Sequence, residues 1–211
     1  MRAFIVGNGP TMADVDLSRL KNEVTFVFNN ITTRIHEFQP TYWVFSDRTF
    51  YNNYREELYQ AVEEGTKLIT TAAKKFEGAE RLMVYGDSVK LKRGIFEFYG
   101  RHHKRSPMQA YSIGAIGYLG LQVAWQKGFH ELYVMGFDSR ECRPKDHYVE
   151  GYRDRMGGVP KARCGLPADV WGKGYDYANK WILENGGKIW DVSHSQSGSF
   201  PFKDLDEVLN G

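Results

Sequence analysis

Apolar residues in this chain fall mostly into short unbroken runs rather than strict alternation. The runs Ala3–Val6, Val24–Phe28, Tyr42–Phe45, Lys67–Thr71, Arg81–Tyr85, His130–Met135 and Lys188–Val192 are rich in β-formers. Such runs predict strands covered on both faces. Between several of them the period changes to that of a helix, at Ala13–Leu20, Tyr51–Glu64, Ser112–Lys127 and Asp169–Asn185. The βαβα rhythm predicts an α/β fold: a Rossmann-like, doubly wound, mainly parallel sheet of about six or seven strands. In the third helix Gly114, Gly117 and Gly120 share roughly one face. Glycine costs about 1 kcal/mol in a helix interior, so the spacing predicts close packing of this helix on the sheet, with its first turn near a ligand.

Two segments interrupt the rhythm. Residues 85–107 are charged and end in Arg101-His102-His103-Lys104-Arg105, read as a solvated basic loop. Residues 139–166 are too long for a simple connection and carry seven Lys and Arg, so they are read as a lid-like insert within one domain spanning 1–211.

The first strand runs into Gly7-Asn8-Gly9-Pro10-Thr11, a strand–turn–helix layout that suits a nucleotide at a strand's carboxyl end. Glycines there let backbone approach a ligand, and a helix N-terminus offers N–H groups to anionic oxygens. The third glycine of a dinucleotide fingerprint would fall on Met12, which removes the main support for NAD or FAD. Other strand ends carry Asn29-Asn30, Ser46-Asp47, Gly136-Phe137-Asp138 and Ser193-His194-Ser195. Singly these are good turn and cap formers. Together, neutral amides and hydroxyls on one sheet edge suit a base, a ribose and a sugar.

Composition narrows the classes further. A content of 42% hydrophobic and 15% aromatic residues supports a sizeable core. A net charge of +2 is too mild to require nucleic acid. Cys142 and Cys164 have no metal-ligand spacing and are read as reduced thiols of a cytoplasmic protein. No run is long enough to span a bilayer and no signal peptide precedes the first strand, so a soluble protein with no membrane partner is expected. Neither His-Glu-x-x-His, Gly-x-Ser-x-Gly nor a P-loop is present. The candidate for chemistry is Asp146-His147-Tyr148 in the insert. An imidazole near its ordinary pKa is a suitable general base for a hydroxyl, and Tyr148 and Tyr152 could donate to a leaving phosphate.

Three patches also resemble a known family. Phe4 to Thr11 with Asp16 to Leu20 and Phe28-Asn29, then Gly128 to Asp138, then His147-Tyr148, are similar to the bacterial sialyltransferases of glycosyltransferase family 42. They look equally like the related domain of archaeal hydroxymethylpterin diphosphokinases. The resemblance implies that Asn8 and Asn29, with Gly7 and Gly9, contact a nucleotide, and that Ser112 and Gly114 face its phosphate or sugar. It implies His147 as general base, Tyr148 or Tyr152 as helpers of the leaving group, and a homo-oligomer. Asp47 departs from the asparagine expected after the third strand, which leaves the donor open; Asp138 and Ser195 complete the expected edge. The leading expectation is a glycosyltransferase needing no metal or cofactor, using a nucleotide-activated sugar of the CMP-sugar kind. Its acceptor is left open among saccharide, metabolite and nucleobase. One alternative is a diphosphokinase on a small hydroxymethyl substrate, using ATP and Mg²⁺ held by a carboxylate pair drawn from Asp47, Asp87 and Asp138. The other is a non-catalytic nucleotide-binding module that keeps Asn8 and Asn29 without His147.

Overall fold

Eight strands form one sheet, all parallel, in the order β6-β5-β4-β3-β2-β1-β7-β8. They are β1 (Arg2–Val6), β2 (Thr25–Phe28), β3 (Tyr42–Phe45), β4 (Lys67–Thr70), β5 (Glu80–Tyr85), β6 (Met108–Tyr111), β7 (Glu131–Met135) and β8 (Lys188–Asp191). The computed structural model describes residues 1–29, 31, 34–73, 76–86, 90, 96–100, 107–138, 168–193 and 198–211. Among the described residues five helices accompany the strands: α1 (Arg48–Asn53), α2 (Arg55–Glu63), α3 (Ile116–Gln126), α4 (Ala168–Glu184) and α5 (Leu205–Asn210).

Strand side chains alternate between two cores, so the unbroken apolar runs have the reason expected of them. Ala3, Ile5, Phe26, Phe28 and Val134 face α3 and α4. Phe4, Val6, Val27, Trp43 and Met135 face α1, α2 and α5. The chain lays β1 to β6 outward in order, then crosses back to place β7 on the other side of β1. The reversal between β1 and β7 opens a crevice at their carboxyl ends, where ligands of such folds bind.

Several expectations need correction. Ala13–Leu20 is not an α-helix: a 3₁₀ turn at Pro10–Met12 precedes it, and within it only Leu17–Leu20 turns, again as 3₁₀. Asp16 accepts from the Ser18 backbone N–H and hydroxyl, and so starts a new turn in mid-segment. The expected helix at Tyr51–Glu64 is two helices broken at Tyr54. The helix expected from Ser112 starts at Ile116, because Gly114 has φ +85° and cannot continue a helical turn.

The sheet also gains β6, which lies at its edge. Gln122, fully buried on α3, accepts from Tyr111 N and donates to Tyr111 O, both at 2.9 Å. One helical turn on, Gln126 accepts from Gln109 N at 3.4 Å and donates to Gln109 O at 2.6 Å. Residues four apart on a helix and two apart on a strand both repeat at about 6 Å. Two side-chain amides therefore stand in for a neighbouring strand along β6.

The glycines of α3 act as expected for packing. A Cβ on Gly120 would stand 2.0 Å from the Phe28 ring, and one on Gly117 would stand 2.8 Å from the Phe137 ring. Their absence lets the helix axis approach the sheet.

Candidate functional site

The tip of β1 is built by backbone contact with the end of β7. Gly7 N donates to Met135 O at 2.8 Å and Gly9 N to Gly136 O at 2.9 Å. A Cβ on Gly7 would stand 2.6 Å from Gly136 O, and one on Gly9 would stand 2.1 Å from Asp138 Oδ2. These two glycines thus serve first to let two strand ends close on each other. Met12, in the place of a third fingerprint glycine, is fully buried and lies against Gly136.

Polar groups fasten the same edge. Asp138 accepts from Thr11 N at 2.9 Å and Thr11 Oγ1 at 2.8 Å. Ser193, beyond β8, accepts from Gly136 N at 2.9 Å and donates to Asp191. Arg34 donates to the Met12 and Val15 carbonyls and pairs with Glu37 at 2.6 Å. The guanidinium hydrogen bond holds the Glu37 carboxyl below the usual glutamate range.

Behind this framework lies a cavity of about 380 Å³, within the size range of small-molecule sites. Gly7, Asn8, Gly9, Asn29, Asp47, Ser112 and Gly114 all line it, gathered from β1, β2, β3 and the β6–α3 loop. Asn8 Nδ2 donates to Phe28 O at 2.9 Å, tying two strand tips together. Asn29 has φ +42°, a left-handed conformation that asparagine tolerates better than most residues. Its carbonyl accepts from the Trp43 indole at 3.0 Å, while its Oδ1 is buried without a hydrogen-bond partner. Asp47 caps α1 by accepting from Thr49 N at 2.7 Å, and Ser112 Oγ accepts from Gly114 N at 3.1 Å.

Asp138 is at the same edge but not in the cavity lining; its carboxylate is turned to Thr11. Among the described residues no three His, Cys, Asp or Glu side chains gather as a metal site. Asn30, Asp87, both cysteines, the insert 139–166 with His147, Tyr148 and Tyr152, and Ser195 lie outside the described residues.

Sequence reasoning missed the apolar half of the cavity: Phe28, Ile116, Leu119, Phe137, Trp171 and Tyr175. Trp171 and Tyr175 are four apart on α4 and so share a face, a signal that was readable. Gly174 lets that face close in, since a Cβ there would stand 2.5 Å from Ile113. The α3 helix begins at the cavity with no side-chain cap, and Ala115, Ile116 and Gly117 all line it. The first N–H groups of a helix have no partner within it. Burial pushes the Tyr175 phenol up, so it remains a hydrogen-bond donor at neutral pH.

Comparison with known proteins gives this geometry a context. No protein-family model and no curated protein sequence matches the chain. Solved structures do. The sialyltransferase CstII from Campylobacter jejuni, bound to the substrate analogue CMP-3FNeuAc, aligns over 100% of this chain and 88% of its own, at TM-score 0.61 and 14% identity. A complex of CstII with a trisaccharide acceptor and CMP aligns with the same coverage, at TM-score 0.62 and 15% identity. The chain has the sialyltransferase fold. The MAf glycosyltransferase from Magnetospirillum magneticum AMB-1 matches 98% of this chain but only 35% of its own, at TM-score 0.52 and 17% identity. At these identities the likeness is one of fold. Among the described residues no helix is long and apolar enough to cross a membrane.

Proposed function

We propose that the protein is a glycosyltransferase that takes its sugar from a nucleotide-activated donor of the CMP-sugar class. The observation that carries this reading is the convergence of Asn8, Asn29, Ser112 and the uncapped start of α3 on one cavity beside the β1/β7 reversal. It is supported by a fold shared along the whole chain with a sialyltransferase whose complexes contain CMP. Amides at the strand tips would hold the nucleotide by neutral hydrogen bonds, with Ser112 and Gly114 facing its phosphate or sugar.

His147 would then take the proton from an acceptor hydroxyl as its oxygen attacks the anomeric carbon. The bond from that carbon to the phosphate breaks, and Tyr148 or Tyr152 donates to the departing oxygen. Much of the rate gain in such a site comes from holding donor and acceptor in line.

The test is thermal shift with CMP, UMP, AMP, ATP and a CMP-linked sugar, each with and without Mg²⁺. Ligand at 100 times its Kd should add about 2.7 kcal/mol of stability. Stabilisation by CMP species that is indifferent to metal is expected. Stabilisation by ATP with a strict Mg²⁺ requirement would instead support a diphosphokinase.

A further inference from the structure

The cavity is polar on the side of the strand tips and aromatic on the side of α4, and the aromatic side has a chemistry of its own. Trp171 Nε1 is buried and, among the described residues, has no hydrogen-bond partner. Tyr175 is 3% exposed, and among the described residues its hydroxyl makes no hydrogen bond. That hydroxyl lies 3.1 Å from where a Cβ on Gly117 would stand, at the first turn of α3 on the cavity wall. Buried N–H and O–H groups are normally satisfied, and leaving one unmatched is costly. Here the buried indole N–H of Trp171 is left unmatched, and one helical turn on, the Tyr175 phenol lines the same wall.

Their surroundings decide what they would bind. Phe137, Ile116 and Leu119 supply apolar faces around them, and Phe137 packs against Tyr175 at 5.2 Å between ring centres. Asp47 is the one charged side chain among the described residues lining the cavity. An isolated anion in an apolar pocket without a cation is strongly disfavoured. A flat neutral ring is not: its faces lie against aromatic and aliphatic carbon, and its edge carries carbonyl oxygen or ring nitrogen able to accept from fixed donors.

We infer that Trp171 and Tyr175 form a base-reading wall, donating from indole N–H and phenol O–H to acceptors on the edge of a pyrimidine. This deepens the nucleotide-sugar reading and rests on it. The wall would make the cavity select for bases with two acceptors on one edge, as cytosine has at its ring nitrogen and carbonyl oxygen.

Trp171→Phe and Tyr175→Phe each delete a donor and keep a ring. Tyr175→Phe should leave the melting temperature of the ligand-free protein unchanged or slightly higher, because it removes a hydroxyl that is unmatched there. Affinity is then measured by titration calorimetry for CMP, UMP, AMP and ribose 5-phosphate on wild type and both variants. We expect each variant to lose about 5- to 30-fold for CMP, the effect of one unmatched buried donor–acceptor pair, with ribose 5-phosphate unaffected. Unchanged CMP affinity in both variants, or an equal loss for ribose 5-phosphate, overturns the base-reading wall while leaving the nucleotide-sugar reading intact. If UMP or AMP binds in place of CMP and the variants lose that binding, the wall stands and the CMP choice falls. If no nucleotide binds wild-type protein, both fall.

Discussion

At the residue scale, strand-tip side chains carry two duties at once. Asn8 joins β1 to β2 through Phe28 O and also lines the cavity. Asn8→Ala should therefore lower stability by about 0.5–1.5 kcal/mol, the net worth of one hydrogen bond, and weaken CMP binding besides. Urea unfolding and calorimetry separate the two effects. Asn29→Ala should affect both as well, since alanine tolerates φ +42° poorly. Undiminished CMP affinity in both variants would show that the nucleotide lies elsewhere. For His147→Ala the expectation is a fall in turnover of 10²–10⁴-fold, about 3–5 kcal/mol of transition-state stabilisation, with donor binding retained. Wild-type rate should drop on the acid side as the imidazole becomes protonated, and the variant should lose that limb. Normal turnover by the variant would remove His147 from the mechanism.

At the element scale, seven strands were legible because each reads as a short, mostly apolar run, most completely where β1, β2, β3 and β7 are buried on both faces. β6 was not, since Met-Gln-Ala-Tyr follows a proline and a basic stretch and owes its place to two distant glutamines. The polar strand ends were legible as a group because turn chemistry and ligand chemistry use the same residues. The aromatic wall on α4 was not, since its residues look like ordinary core until Gly174 and Gly117 show how closely two helices meet. Gln122→Leu tests the β6 arrangement. It would strip partners from Tyr99 N and from both backbone groups of Tyr111, in the protein interior. A loss of about 3 kcal/mol or more is expected in chemical denaturation, well beyond a single exposed hydrogen bond. Faster amide exchange at Tyr111 than at β1 in the variant would locate the damage.

At the scale of the whole molecule, the site depends on a turn that electrostatics helps to hold. Glu37 ionises more readily in the folded protein than in the unfolded chain, because Arg34 donates to it. Its contribution is complete above the ordinary glutamate range and is lost as pH falls through its lowered folded value. Stability should therefore decline below about pH 4, and Glu37→Gln should flatten part of that decline. Urea midpoints measured from pH 6 to pH 3 on both proteins check this; parallel curves would mean that the pair contributes nothing to acid sensitivity. Because Arg34 also grips the Met12 and Val15 carbonyls, acid should loosen the β1 tip.

The order of strands in the sheet also has a history in time. As the chain is synthesised, β2 to β6 can each close on the strand made just before it. The second neighbour of β1 begins only at Glu131, long after Val6 has emerged. Through that interval the β1 edge is bare, an apolar template of the kind that recruits other unfinished chains. A polypeptide cut after Tyr111 would keep that edge permanently and should aggregate, although it contains six of the eight strands. The strand at the heart of the candidate site is thus the one left open longest while the sheet is being made.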